Sequence, residues 1–296
     1  MKHSVLLTAV LSLALLAGCA VPAAGPAAAQ PASEPVQKPA LLAVSFGTSY
    51  NDSREVTIGA IENALKTAYP DYDVRRAFTS QIIIDKLSER DQLEIDNVEQ
   101  AMQRLAADGV KNVVIQPTHV MQGFEYDDVV KEVTQYKDKF DSFSIGLPLL
   151  TDDADYDRMA EIITSATKDS NTDGTAIVFM GHGTEHEANA AYAKLQQKLT
   201  DAGFSNYFIG TVEASPSLDD VLALVGQSGA KKVVLRPLMI VAGDHANNDM
   251  AGDEEDSWKT AFENAGFEVE CVIEGLGQLP EIQQMFVEHA SKAMAE

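Results

Sequence analysis

The chain contains one stretch of itself twice. Gly109-Val-Lys-Asn-Val-Val-Ile-Gln-Pro117 aligns without a gap against Gly229-Ala-Lys-Lys-Val-Val-Leu-Arg-Pro237, and the same register pairs Gly123 with Gly243 and Glu125 with His245. Near the start of each copy, Phe46-Gly47-Thr48 aligns with His182-Gly183-Thr184. An internal duplication constrains architecture more than any local pattern, because each copy must form the same supersecondary unit. The two halves run over residues 40–150 and 170–296.

Within each half, short apolar β-branched runs alternate with longer amphipathic stretches. Strands are expected at 41–46, 74–78, 112–117, 143–147, 175–180, 207–212, 232–238 and 268–273. Helices are expected at 52–68, 92–108, 155–168, 187–202, 216–228 and 279–294, where apolar residues recur at three- and four-residue steps. Such alternation makes parallel strands joined by crossover helices. The expected fold is therefore α/β, with two similar lobes, each a four-stranded parallel sheet flanked by helices, and a cleft between them.

With 296 residues and 45% hydrophobic content the chain can bury a sizeable core without covalent staples. Its two cysteines, Cys19 and Cys271, supply no disulfide framework, and Cys271 reads as a core residue. A formal charge of −23 argues against nucleic acid as a partner, since that needs a basic surface, and favours the local accumulation of cations. No phosphate-binding glycine fingerprint, nucleophile elbow or His-Glu-x-x-His helix occurs, so no nucleotide is expected. The acidic run Asp253-Glu-Glu-Asp256 reads as a solvated face.

Residues 1–29 have the pattern of a signal peptide or leader, with Lys2 ahead of an apolar run from Val5 to Ala17. Leu16-Ala17-Gly18-Cys19 resembles a bacterial lipobox, which would anchor the chain by a lipid on Cys19; cleavage after Ala27-Ala28-Ala29 would instead release it. Either route places the mature protein in the periplasm. The Ala- and Pro-rich residues 20–38 read as a tether or processed leader.

Open parallel sheets bind ligands beyond the carboxyl ends of their strands. The polar clusters of this chain fall there: Ser45 to Tyr50, Thr79 to Gln81, His119 to Glu125, Gly181 to His186, Glu213 to Ser215 and Gly243 to Asn248. His182 lies between two glycines directly after an apolar strand, and His245 follows Gly243-Asp244 beyond another. Two neutral imidazoles and one carboxylate suit a borderline divalent ion such as Co2+, Fe2+, Ni2+ or Zn2+ and leave coordination positions open. Glu213, at a strand end, and Glu125, the repeat partner of His245, are the candidate carboxylates. His186 is expected to open a helix, His119 to face the cleft or a partner subunit, and His289 to sit in the last helix without a chemical role.

Several of these segments resemble one family. Ser45-Phe-Gly-Thr-Ser-Tyr50 with Arg54, Arg76-Ala-Phe-Thr-Ser80, Gln116-Pro-Thr-His119, Gly181-His-Gly-Thr-Glu-His186 and Pro237-Leu-Met-Ile-Val-Ala-Gly-Asp-His245 are similar to the sirohydrochlorin cobaltochelatases of the anaerobic cobalamin pathway, across 40–296. The resemblance implies a class II chelatase that inserts a divalent metal, Co2+ or Fe2+, into sirohydrochlorin without nucleotide hydrolysis. It places the paired histidines on His182 and His245 and the acidic contact on Glu213 or Glu125. A neutral histidine there can both hold the metal and accept a pyrrole proton. The carboxylates of sirohydrochlorin call for local donors, for which Ser45, Thr48, Ser49, Arg54, Ser80 and nearby helix N-termini are the candidates.

The leader departs from the family pattern, because cobalamin precursors are made in the cytoplasm. A second expectation is therefore a periplasmic tetrapyrrole, haem or metal carrier that kept the chelatase fold, with His119 as an axial haem ligand at a subunit interface. Folds of this kind often form homo-oligomers, although the sequence carries no interface signature.

Overall fold

The structure is a computed structural model in which residues 37–295 are described. Cys19, the leader and the tether up to residue 36 lie outside them. Eight strands follow in chain order: β1 Ala40–Ser45, β2 Asp73–Phe78, β3 Asn112–Pro117, β4 Ser142–Ile145, β5 Thr175–Gly181, β6 Tyr207–Thr211, β7 Lys232–Pro237 and β8 Glu268–Cys271. They form two sheets of four, ordered β2-β1-β3-β4 and β6-β5-β7-β8, and every pairing is parallel. The duplication in sequence is thus a duplication in topology, and the α/β architecture is the expected one.

Position within the sheet explains strand composition. The inner strands β1 (ALLAVS) and β5 (TAIVFMG) are buried at every residue, which requires continuous apolar sequence on both faces. The edge strands β2, β4 and β8 alternate or expose polar residues. In each sheet the chain winds one way from the first strand to the second and the other way to the third. The loops after β1 and β3, and after β5 and β7, therefore diverge at a topological switch point, where a binding crevice opens.

The glycines that begin the repeat have a structural cause. Gly109 (φ +75°) and Gly229 (φ +79°) each follow a helix, α4 (Val98–Ala107) and α8 (Leu218–Gln227), in the left-handed conformation that ends a helix and turns the chain into the next strand.

Among the described residues there are also ten α-helical segments: α1 Asn51–Arg54, α2 Ala60–Ala68, α3 Gln81–Asp91, α4, α5 Phe124–Thr134, α6 Asp153–Ala166, α7 Ala190–Asp201, α8, α9 Trp258–Asn264 and α10 Pro280–Met294. A π turn, Glu55–Gly59, joins α1 to α2, and a second, Ala246–Met250, follows His245 directly. Helices α3, α5 and α9 lie outside the expected set. In α3 three consecutive isoleucines, Ile82 to Ile84, obscure any helical period, and Ile82 is largely exposed. Helix α4 begins at Val98, six residues later than expected, because Asn97 and Gln100 form a reciprocal capping box.

The chain's last helix returns to its first sheet. Leu41, Ile61, Leu65 and Val114 share one apolar core with Ile282, Met285, Phe286 and Ala290 of α10, and the Tyr69 hydroxyl donates to the Val287 carbonyl at 2.6 Å. Helix α6, which leaves the first half, packs on α7 of the second. This exchange of helices holds the two sheets in one body with their strand-end loops facing each other. Cys271 is half-buried against the core of the second sheet, and burial raises its thiol pKa. Among the described residues no helix is long and apolar enough to cross a membrane.

Candidate metal centre

Strand β5 delivers His182 through a turn that only glycines can form. A Cβ on Gly181 would lie 2.3 Å from the Tyr192 ring, and one on Gly183, at φ +87°, would lie 2.8 Å from the Ala214 nitrogen. The Gly183 N–H donates to the Tyr192 hydroxyl at 3.1 Å, fixing the turn to α7. The chain has no freedom there except to project the imidazole outward, where its side chain is 48% exposed.

The His182 carbonyl accepts the Glu213 N–H at 2.8 Å, which extends the β5–β6 pairing and sets Glu213 beside the imidazole. A Glu213 carboxylate oxygen stands 3.7 Å from His182 Nε2. On its other side, His182 Nδ1 is 2.8 Å from the Gly183 carbonyl. A carbonyl only accepts, so Nδ1 carries the hydrogen and Nε2 presents a lone pair.

His245 reaches the same place from β7. Asn247 Nδ2 donates to the Gly243 carbonyl at 2.7 Å, closing the loop. His245 Nδ1 lies 2.7 Å from a carboxylate oxygen of Asp249, one turn ahead. That contact again assigns the hydrogen to Nδ1 and leaves Nε2 as the ligand atom, an arrangement usual for metal-binding histidines. The two imidazoles stand edge to face with ring centroids 4.7 Å apart.

One ligand atom from each of His182, Glu213 and His245 can be chosen so that all three lie within 4.8 Å of one another. Bonds of about 2.1 Å to a common ion put ligand atoms roughly 3–3.5 Å apart, so a small contraction closes the set. Three protein donors leave further coordination positions for an incoming ligand. The partial exposure of all three residues makes those positions reachable.

Glu125 does not join this group. It occupies the first turn of α5, where its carboxylate accepts the Thr79 hydroxyl at 3.0 Å. Duplication preserved its register against His245, but the two positions belong to different sheets, and His182, Glu213 and His245 all come from the second half.

Three of the expected tetrapyrrole donors are interior groups. Ser45, Thr48 and Ser49 are buried. The Ser45 hydroxyl is bonded to Thr118 Oγ1 at 2.7 Å, Thr48 Oγ1 accepts the Tyr50 N–H at 3.2 Å, and the Ser49 carbonyl accepts from Arg90 at 2.6 Å. They shape the loop after β1, and Ser49 also lines the cavity beside Tyr50. Ser80 caps the chain entering α3 without a side-chain cap bond, and Arg54 donates to Asn51 at 2.7 Å. Burial and the nearby Arg76 lower the Arg54 pKa.

The other histidines separate clearly. His119 has both ring nitrogens buried without a partner, and burial pushes its pKa down to about 4. Neither nitrogen is presented to an external iron in this conformation. His186 Nδ1 accepts the Ala188 N–H at 3.0 Å, while Nε2 lies 3.4 Å from Asp127 and its ring meets Phe124 edge to face, tying α5 to the second half. His289 is buried, 3.2 Å from both the Leu147 carbonyl and Asp155. The residue in contact with this cluster that pattern reading passed over is Asp249. Its signal was the four-residue spacing after His245, which stacks two side chains on one helical face.

Comparison with known proteins points the same way. A profile of the cobalt chelatase (CbiK) family matches residues 39–295. The chain is 44% identical over 255 residues to a sirohydrochlorin cobaltochelatase of Salmonella typhimurium, covering 86% of this chain and 96% of that one. It is 31% identical over 257 residues to the sirohydrochlorin cobaltochelatase CbiKC of Nitratidesulfovibrio vulgaris, covering 86% and 90%. Among solved structures, SirB from Bacillus subtilis with Fe3+ superposes with a TM-score of 0.63 at 13% identity, covering 88% of this chain and 96% of that one. CbiX, described as the terminal enzyme of sirohaem biosynthesis in denitrifying bacteria, gives 0.52 at 17% identity, covering 86% and 99%. At these identities the structural likeness speaks to the fold alone.

Proposed function

The chain belongs to the cobalt chelatase (CbiK) family, and from that premise we propose that it inserts Co2+ into sirohydrochlorin through His182, Glu213 and His245. The observation that carries the residue assignment is the convergence of those three side chains, with both imidazoles held as Nδ1–H tautomers by the Gly183 carbonyl and by Asp249.

Insertion exchanges two pyrrole N–H protons for one divalent ion. In the proposed sequence the ion arrives on His182 Nε2, His245 Nε2 and a Glu213 oxygen, with its remaining positions open to the macrocycle nitrogens. As the ring nitrogens bind, the protein donors let go, and the lone pairs they recover stand beside the N–H groups that must be deprotonated. Metal release and proton uptake thus use the same atoms, and the protons leave on imidazole nitrogen. No step needs nucleotide hydrolysis, because a solvated ion and a free macrocycle are both less favourably placed than the chelate they form.

Fe2+ would fit the same donors, which do not discriminate strongly between the two ions. The metal preference is tested by competition of Co2+ and Fe2+ for one pool of sirohydrochlorin. The leader motivates a further proposal, that the chain acts outside the cytoplasm, which the mass of the mature N-terminus tests: a lipidated Cys19 or a start after Ala29 supports it, and an intact Met1 opposes it.

The test of the activity is the absorption spectrum of sirohydrochlorin mixed with Co2+ and the protein. Conversion faster than without protein is expected, and a rate equal to the uncatalysed one would overturn the assignment.

A further inference from the structure

Metal ligands alone do not hold an anionic macrocycle on a protein of net charge −23. A cavity of about 670 Å3 opens between the two halves on the side where Tyr50 approaches Asp244, its hydroxyl 3.5 Å from the carboxylate. Ala242 and Asn247, which bracket His245 on its loop, form one wall. Lys86 and Arg90 of α3 also line the cavity.

We propose that this cavity is the substrate's carboxylate site, in which Lys86 and Arg90 bind acidic side chains at the tetrapyrrole edge while Val56 and Ile273 pack against the ring periphery. The proposal rests on the chelatase reading and adds to it residues that neither the repeat nor the family motifs singled out.

Three features support it. Lys86 is exposed and, among the described residues, its ammonium makes no hydrogen bond or ion pair, so a charged group on the cavity wall is uncommitted. Arg90 spends Nε and Nη2 on Asp91, Ser49 and Asn51, yet Nη1 has no partner among the described residues. Its guanidinium is therefore fixed in place with one edge still able to donate, the state in which an arginine loses least entropy on binding a carboxylate. Val56 and Ile273 are 46% and 42% exposed from opposite halves onto the same cavity, an apolar pair left uncovered beside a cationic rim. Such pairing suits a flat apolar ring bearing acidic arms. Asp52 also lines the cavity and Asp91 neutralises part of Arg90, so Lys86 carries most of the uncompensated charge.

The test uses the full chain with Lys86→Gln and Lys86→Glu, which disturb no observed contact, and Arg90→Lys as a second site. At low ionic strength, Lys86→Gln should raise the KM for sirohydrochlorin about fivefold, the size of one exposed ion pair, and Lys86→Glu about 25-fold, since repulsion replaces attraction. The kcat and the Co2+ affinity should stay within twofold of wild type. A binding titration with an octacarboxylate porphyrin and a dicarboxylate one separates this site from the activity: wild type should prefer the former, and Lys86→Glu should lose that preference. An unchanged KM and unchanged porphyrin preference in folded Lys86→Glu would overturn the proposal. Absence of insertion by the wild type, with the porphyrin preference intact, would instead overturn the chelatase reading and leave the carboxylate site standing.

Discussion

His245 Nδ1 lies 2.7 Å from the Asp249 carboxylate, and this contact commits Nδ1 and leaves Nε2 as the nitrogen free to join Glu213 and His182. A carboxylate behind a ligating imidazole fixes its tautomer and raises its basicity, and losing such a partner typically costs about 10- to 100-fold in metal affinity. Asp249→Asn should weaken Co2+ binding by that order in a calorimetric titration, with the fold intact by circular dichroism. Affinity unchanged within twofold would show that the tautomer is set by other means.

Glu213 and Glu125 divide the candidate acidic role. Glu213→Gln keeps the shape but removes the charged oxygen beside His182 Nε2, and should lower Co2+ affinity at least about tenfold. Glu125→Gln changes a group bonded to Thr79 outside the triad and should leave Co2+ affinity within twofold. A reversal of these two results would move the metal to the other half of the cleft.

His119 keeps both ring nitrogens buried without a partner. Its pKa, about 4 in the folded state, lies below the ordinary 6.5, so between these values the unfolded chain binds a proton that the folded chain does not. Stability is therefore lost as pH falls from about 6.5 towards 4, by up to about 3 kcal/mol from this group. His119→Leu also removes two unpartnered nitrogens. It should raise the urea midpoint at neutral pH and raise it further at pH 4.5. A midpoint difference that does not grow on acidification would contradict the burial of its ring nitrogens.

His289 ties the last helix to the segment leaving the first sheet. Its two ring nitrogens each face an acceptor, the Leu147 carbonyl and the Asp155 carboxylate, both at 3.2 Å. His289→Phe leaves the buried Asp155 without that donor and should cost about 3 kcal/mol in urea unfolding. The Co2+ affinity of the folded fraction should be unchanged, because the site lies on different elements. A loss of metal binding proportionate to the loss of stability would mean that helix exchange also sets the cleft.

How much of this was legible in the sequence depends on the kind of constraint. Every strand was readable, since β1 and β5 must be apolar throughout and the duplication repeats the order. The strand-end placement of His182, Glu213 and His245 was readable, with glycines beside both histidines, but spacing alone did not separate Glu213 from Glu125. Helix α3 was not, as its isoleucine run masks the helical period, and with it Lys86 and Arg90 escaped notice. The inward contacts of Ser45 with Thr118 and of Thr48 with the Tyr50 N–H were not legible, because spacing does not distinguish a hydroxyl facing the cleft from one turned into the loop. The return of α10 to the first sheet was equally hidden, because an amphipathic period says that a face is buried and not against which sheet.

The most direct measurement is the cobalt position in crystals of the protein soaked with Co2+, located by anomalous scattering at the cobalt edge. One ion is expected, about 2.1 Å from Nε2 of both His182 and His245 and bound by Glu213. An ion held through Glu125, or through Nδ1 of either histidine with Asp249 displaced, would contradict the assignment of the metal centre.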